Sequence, residues 1–206
     1  MSDMFCFQCE QTTKSSACIG KAGICGKKAD TAKLQDVLTG ALVGLARAAQ
    51  VNKPNASTHR TMLEALFTTV TNVNFDNEAV TRQIEAVRNA KNTLLAQVGN
   101  PGVNTGDYDI EKLWNDNEDI RSLKSLLLFG LRGMAAYAYH ALILGYSDEE
   151  VNNFFYKGMF AIGEDWGMDE LLPLVMESGT VNLKCMEMLD KANTETYGTP
   201  VPTTVP

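Results

Sequence analysis

After Cys25 the chain has almost no cysteine: across the rest of its 206 residues only Cys185 occurs. Histidine is just as scarce, with His59 and His140 alone. Positive charge is also lacking, since the formal net charge is −7, which argues against a nucleic-acid binder or an anionic-membrane binder. No run of eighteen apolar residues exists. The most apolar stretch, from Leu126 to Leu144, is interrupted by Arg132 and His140, so no membrane span is expected. The start, Met1-Ser2-Asp3-Met4-Phe5-Cys6, shows no basic region followed by an apolar one, which predicts no secretory signal and a cytoplasmic protein. No strand-like alternation of any length is present. What remains is ordinary globular material, 45% hydrophobic and 21% charged, enough to bury a core.

Charge and cysteine are both distributed unevenly. Residues 1–33 carry Lys14, Lys21, Lys27, Lys28 and Lys33 against Asp3, Glu10 and Asp30, a balance of +2, so residues 34–206 carry −9. Cys6, Cys9, Cys18 and Cys25 lie in the same short head. Residues 1–29 therefore read as a cysteine-rich head on an acidic body.

The body reads as helices. Asp30 looks like an N-cap, followed by Leu34, Val37, Leu38, Ala41, Leu42 and Leu45 at helical spacing. Asn52-Lys53-Pro54-Asn55 breaks the pattern. A second helix is predicted from about Ser57 with Met62, Leu63, Leu66, Phe67, Val70 and Val73 on one face. A third runs from near Asp76 through Val80, Ile84, Val87, Leu94, Leu95 and Val98, ending at Gly99-Asn100-Pro101-Gly102. These three form a first bundle over 30–98, and 99–117 reads as a linker. A second bundle over 118–194 starts with a long helix from near Asp116 and continues after the Ser147-Asp148-Glu149-Glu150 capping box. Its last helix begins at Asp169, with a break expected at Gly179 and a resumption at Val181. The expected class is all-α, two three-helix bundles behind a cysteine-rich loop segment. Residues 195–206, rich in proline and threonine, have linker composition and suggest a truncated chain.

The head spacing is Cys6-x2-Cys9-x8-Cys18-x6-Cys25. A Cys-x2-Cys pair lets two thiolates converge on one metal or one cluster edge. The small residues Ser15, Ser16, Ala17, Gly20, Gly23 and Gly26 let backbone wrap closely and donate N–H bonds to sulfur. Four thiolates on an oxidised iron–sulfur cluster leave a charge of about −2, and the head is basic. A disulfide framework fits a reducing compartment poorly. Structural zinc shares the first Cys-x2-Cys, but a zinc site usually has a second close pair, and Cys18 and Cys25 are six residues apart. Spacing leans toward iron–sulfur and leaves zinc open.

Met4-Phe5-Cys6-Phe7-Gln8-Cys9-Glu10-Gln11-Thr12, with Ile24-Cys25-Gly26-Lys27, closely resembles the N-terminus of the hybrid-cluster proteins, also called prismane proteins or hydroxylamine reductases. The resemblance continues through Gly163-Glu164-Asp165, Val181-Asn182-Leu183-Lys184 and Asn193-Thr194-Glu195-Thr196-Tyr197-Gly198. It implies that Cys6, Cys9, Cys18 and Cys25 bind one iron–sulfur cluster. The short spacer between the second and third cysteine implies a [4Fe–4S] cubane, ahead of [2Fe–2S] or zinc. It also implies a helical domain of two three-helix bundles. Family members run to more than twice this length, and their hybrid iron–sulfur–oxygen cluster draws its ligands from later α/β domains, none of which is in this sequence. The expected role is electron transfer from an external donor to that catalytic cluster in the remaining domains, which in the intact family reduces hydroxylamine or nitric oxide. The alternative is a non-redox helical interaction module with structural zinc.

Other residues read as structural. Cys185 sits among Leu183, Met186 and Leu189 as a buried thiol. His59 reads as solvated and His140 as an ordinary helix residue. Met134, Met159, Met168, Met176, Met186 and Met188 read as core filling, and Glu164-Asp165 as candidates for an interface with the missing domains.

Overall fold

The computed structural model describes residues 4–9, 11–70, 73–96, 98 and 101–204. The expectations placed on Met1-Ser2-Asp3, Glu10, Gly99-Asn100 and the end at Pro206 lie outside these residues. Among the described residues the regular structure is helical: α1 (Ala29–Ala48), α2 (Ala56–Thr68), α3 (Asn77–Leu95), α4 (Ile110–Trp114), α5 (Glu118–Ile143), α6 (Glu149–Gly163) and α7 (Met168–Tyr197), with a 3-10 turn at Thr13–Ser15. The all-α class follows, and only two isolated bridges, both in the cysteine head, have β character.

Helix starts follow capping chemistry. Asn55, Asp76, Asp109, Asn117 and Asp148 each accept from backbone N–H groups of the turn they open, satisfying donors that have no intrahelical partner. Asp30 departs from the expectation. The helix opens at Ala29 behind Lys28, and Asp30 lies inside the first turn, where its carboxylate accepts from Asn77 Nδ2 at 2.9 Å. With Thr31 Oγ1 donating to Asn77 Oδ1 at 2.7 Å, this bond ties α1 to the start of α3.

The core is centred on α1 and α5. Leu38, Leu42 and Leu45 of α1 and Leu127, Leu128 and Leu131 of α5 are fully buried, each worth about 1.5–3 kcal/mol relative to exposure. Helix α1 packs on α3 and on α6, α2 packs on α5, and α5 packs along α7, so one apolar core runs through the first and last helices alike. Helix α5 is long and apolar enough, by length and composition, to cross a membrane. Its position against α2, α6 and α7, and its buried Lys124 and Arg132, account for that apolarity as the needs of a core helix.

The stretch read as a linker is built into this core. Residues 106–117 carry α4, whose Ile110 and Leu113 are buried. Tyr108 N–H donates to Gly40 O at 3.0 Å, and Asp107 pairs with Arg88 at 2.8 Å and Lys91 at 2.5 Å. Five residues are too short for the periodicity that betrays a helix, and the Gly, Asn and Asp around them mark caps and turns. Glu164 likewise is held internally. Arg47 donates to Glu164 Oε1 at 3.0 Å, Gly163 O at 2.6 Å and Gly106 O at 3.1 Å, joining α1, α6 and this segment.

Helix α7 runs unbroken through Gly179, and its one proline, Pro173, is accommodated near the start. Glycine in a helix costs only about 1 kcal/mol against alanine, which the packing of α7 along α5 outweighs. The methionine expectation holds for Met134 and Met159, which are buried, and fails for Met168, Met176 and Met186, which are exposed. With Leu172 and Leu183, those three form an apolar outer stripe on α7.

Candidate four-cysteine site

The head folds back on itself through backbone bonds. Cys6 and Cys18 face each other in an antiparallel bridge, Cys18 N–H donating to Cys6 O at 2.8 Å and Cys6 N–H to Cys18 O at 3.1 Å. A second bridge joins Ala22 and Lys28, with Gly23 N–H donating to Lys27 O at 2.8 Å, and it closes the loop that carries Cys25. Met4, Cys18 and Ala32 form a small apolar cluster under this fold, anchoring the head on the first turns of α1. Phe7, between Cys6 and Cys9, packs edge-on against Trp114 and Phe129, ring centroids 5.0 and 5.6 Å away, which fixes the Cys-x2-Cys turn to α4 and α5.

Cys6, Cys9, Cys18 and Cys25 all line one small cavity, together with Gly23, Ile24 and Lys27. The four residues singled out by spacing are therefore brought together. Among the described residues no three His, Cys, Asp or Glu side chains converge as a ligand set for a single ion. Gly23 lies between two of the sulfurs: a Cβ on it would stand at ordinary contact distance, 3.6 Å from Cys25 Sγ and 3.8 Å from Cys18 Sγ.

The surroundings supply donors and positive charge. N–H groups of Ile24 and Thr13 point at the Cys18 sulfur and pull its thiol below the usual range, helped by the Thr13 hydroxyl at 3.9 Å and by Lys27. Burial pushes the Cys6 thiol up, against the opposing pull of the Gln8 N–H and Lys27. Lys27 is itself buried, donating to Gln35 Oε1 at 2.7 Å with Phe75 6.0 Å away, and no carboxylate pairs with it among the described residues. A buried ammonium without a carboxylate is costly unless negative charge stands nearby. The residues fit a sulfur-rich anionic group: four thiols, N–H donors aimed at sulfur, and a buried cation.

Asp36, one turn along α1 from Ala32, belongs to the same electrostatic setting. Burial pushes its carboxyl up to about 7, against Arg132 and Lys27, which favour the charged form. The folded chain then keeps a proton between about pH 4 and 7 that the unfolded chain has released. Stability from this group is fully present below about pH 4 and is lost as pH rises toward 7. The difference in urea-unfolding free energy between the metal-free parent and Asp36→Asn should drift by a few kcal/mol between pH 5 and 8, because every tenfold change in proton affinity on folding is worth about 1.4 kcal/mol. A constant difference across that range would show that Asp36 titrates normally.

The remaining candidates fall away from the site. Cys185 is fully buried, burial pushes its thiol up to about 11, and its Sγ lies 3.6 Å from Met134 O, in keeping with a structural thiol. His59 is half-buried, so it is only partly solvated: its ring packs edge-on against Tyr156 at 5.5 Å, and burial, then Lys53, lowers its pKa. His140 is exposed beside Phe67. Arg132, in the sequence only a break in an apolar stretch, is the residue near the site that spacing does not reveal. Its signal is nonetheless present, since an arginine inside an apolar helix must be buried and needs a counter-charge.

Fold and site define a helical protein whose N-terminal cysteines form one sulfur-lined pocket. The chain belongs to the Prismane/CO dehydrogenase family, whose model matches residues 4–206. It is 44% identical to a hydroxylamine reductase of Solidesulfovibrio magneticus, 43% to one of Thermodesulfovibrio yellowstonii and 40% to one of Methanosarcina mazei. Each alignment covers 98% of this chain, and between 41% and 42% of the relative. The chain thus spans about two fifths of the length of these relatives and corresponds to their N-terminal part.

Proposed function

We propose that Cys6, Cys9, Cys18 and Cys25 hold one [4Fe–4S] cluster, and that this chain is the electron-carrying helical part of a hydroxylamine reductase. The observation that carries the reading is the ring of four thiols around one cavity with N–H donors and Lys27 beside it. Each iron of such a cluster takes its own cysteine, and four cysteines line the cavity. Metal analysis separates this reading from the structural-zinc module, which would hold one zinc and no sulfide. When bound, the cluster would store and pass single electrons. The protein's own part is to orient four sulfurs, exclude water from Cys18 and offset the negative charge.

In this reading α1–α3 and α5–α7 are the two three-helix sets of the domain, and the protein is cytoplasmic. An external donor delivers electrons, and the relatives' remaining domains hold the hybrid cluster where hydroxylamine or nitric oxide is reduced. The exposed stripe of Met168, Leu172, Met176, Leu183 and Met186 on α7 is the apolar surface that those domains would cover. The chain alone should take up one electron per cluster from dithionite, bleach, and recover its colour on reoxidation. Its turnover of hydroxylamine with reduced viologen should stay at background. Irreversible bleaching would remove the relay role, and robust turnover would place a catalytic site within these helices.

A further inference from the structure

Arg132 of α5 is a buried cation with two of its three side-chain nitrogens unpartnered among the described residues. Its side chain is 3% exposed and lies in the core beneath the cysteine head. Nη2 donates to Thr39 Oγ1 at 2.9 Å, while Nε and Nη1, both shielded from solvent, have no partner among the described residues. No carboxylate stands within ion-pair distance of it there. The guanidinium instead lies 5.8 Å from the centroid of Phe129, the ring on which Phe7 of the Cys-x2-Cys turn packs. The charges it feels are those of Asp36 and Cys6. A fully buried guanidinium with two orphaned N–H edges loses several kcal/mol of hydration. A fold that keeps it does so most economically if a bound group completes its shell.

Resting on the cluster reading above, we propose that Arg132 is a positioning residue of the four-cysteine site: its free N–H edge and its charge face the Cys6 side of the bound group, and they favour the reduced, more negative state. Lys27 lines the pocket itself, and Arg132 stands behind it next to Phe129. The two cations together offset about the −2 that four thiolates leave on an oxidised cluster. Reduction adds one further negative charge, and a buried positive charge stabilises that added electron more than it stabilises the oxidised form.

The test is a redox titration of the loaded chain, parent against Arg132→Met and Arg132→Lys, followed by absorbance and electron paramagnetic resonance. With iron content equal to the parent, R132M should show at least a tenfold lower reduced-to-oxidised ratio at the parent's midpoint, about 59 mV for one electron. R132K, which restores the charge, should recover most of the shift. An R132M chain that loads fully and titrates within twofold of the parent overturns the proposal. Absence of iron from the parent itself would instead sink the cluster reading, a distinct result. Should R132M not fold, the unsubstituted chain decides. The 15N-labelled Nε–H resonance of Arg132 must shift or broaden between metal-free and loaded forms, and an unchanged resonance refutes the contact.

Discussion

Anaerobically purified protein is expected to contain about four irons and four acid-labile sulfides per chain, the composition of a cubane. Four thiols line one cavity, and the described remainder of the chain supplies no comparable ligand set. Cys18→Ser should lose most of the iron, because the buried Cys18 sulfur receives the N–H donors of Ile24 and Thr13, and serine is a poor iron ligand. Cys9→Ser should do the same by removing one corner of the ring. Cys185→Ala should load as the parent does, since its sulfur lies in the α5–α7 interface facing Met134. Elemental analysis and the visible spectrum read all three. Two irons per chain would replace the cubane by [2Fe–2S], and one zinc with no sulfide would overturn the electron-carrying role.

The largest effect on the fold is expected from Gly40→Ala. A Cβ at this position would lie 2.1 Å from Tyr108 O, a backbone atom with no freedom to swing aside. Close packing at Gly40 is what lets residues 106–110 lie across α1, with Tyr108 N–H bonded to Gly40 O. The substitution must lift that stretch of chain and disturb the burial of Ile110 and Leu113 that follows it. Overpacking of this kind costs about 1–3 kcal/mol, and loss of part of the α4 burial adds to it. Urea unfolding should show a loss of stability of that size. A loss under about 0.5 kcal/mol, the range of an ordinary surface change, would mean that the 106–110 segment is not docked as described.

Helix positions are legible where a helix carries its own start signal or a sustained 3.6-residue period. Asp76 caps its helix as its type and position predict, while α5 and α6 open at Asn117 and Asp148, one residue after Asp116 and Ser147, since any of several adjacent short polar side chains can supply so local an interaction. Local rules fail where a distant partner decides. Gly179 reads as a break, yet α7 continues because α5 lies along it. Residues 106–117 read as a linker, yet Gly40, Arg88 and Lys91 on other helices hold them in place. Met176 reads as core and stands exposed, because helical spacing defines a stripe without saying what covers it.

By itself the sequence determined the helical class, the grouping of cysteines in a basic head and the resemblance that those cysteines carry. All three are written in short-range spacing and composition. Only the tertiary structure decided that the four thiols ring a cavity, that Lys27 and Arg132 are buried beside it, and that Asp36 holds its proton toward neutral pH. Desolvation and Coulomb interaction depend on what stands within a few ångströms in space, and residues 6, 27, 36 and 132 become neighbours only after α1 and α5 have packed.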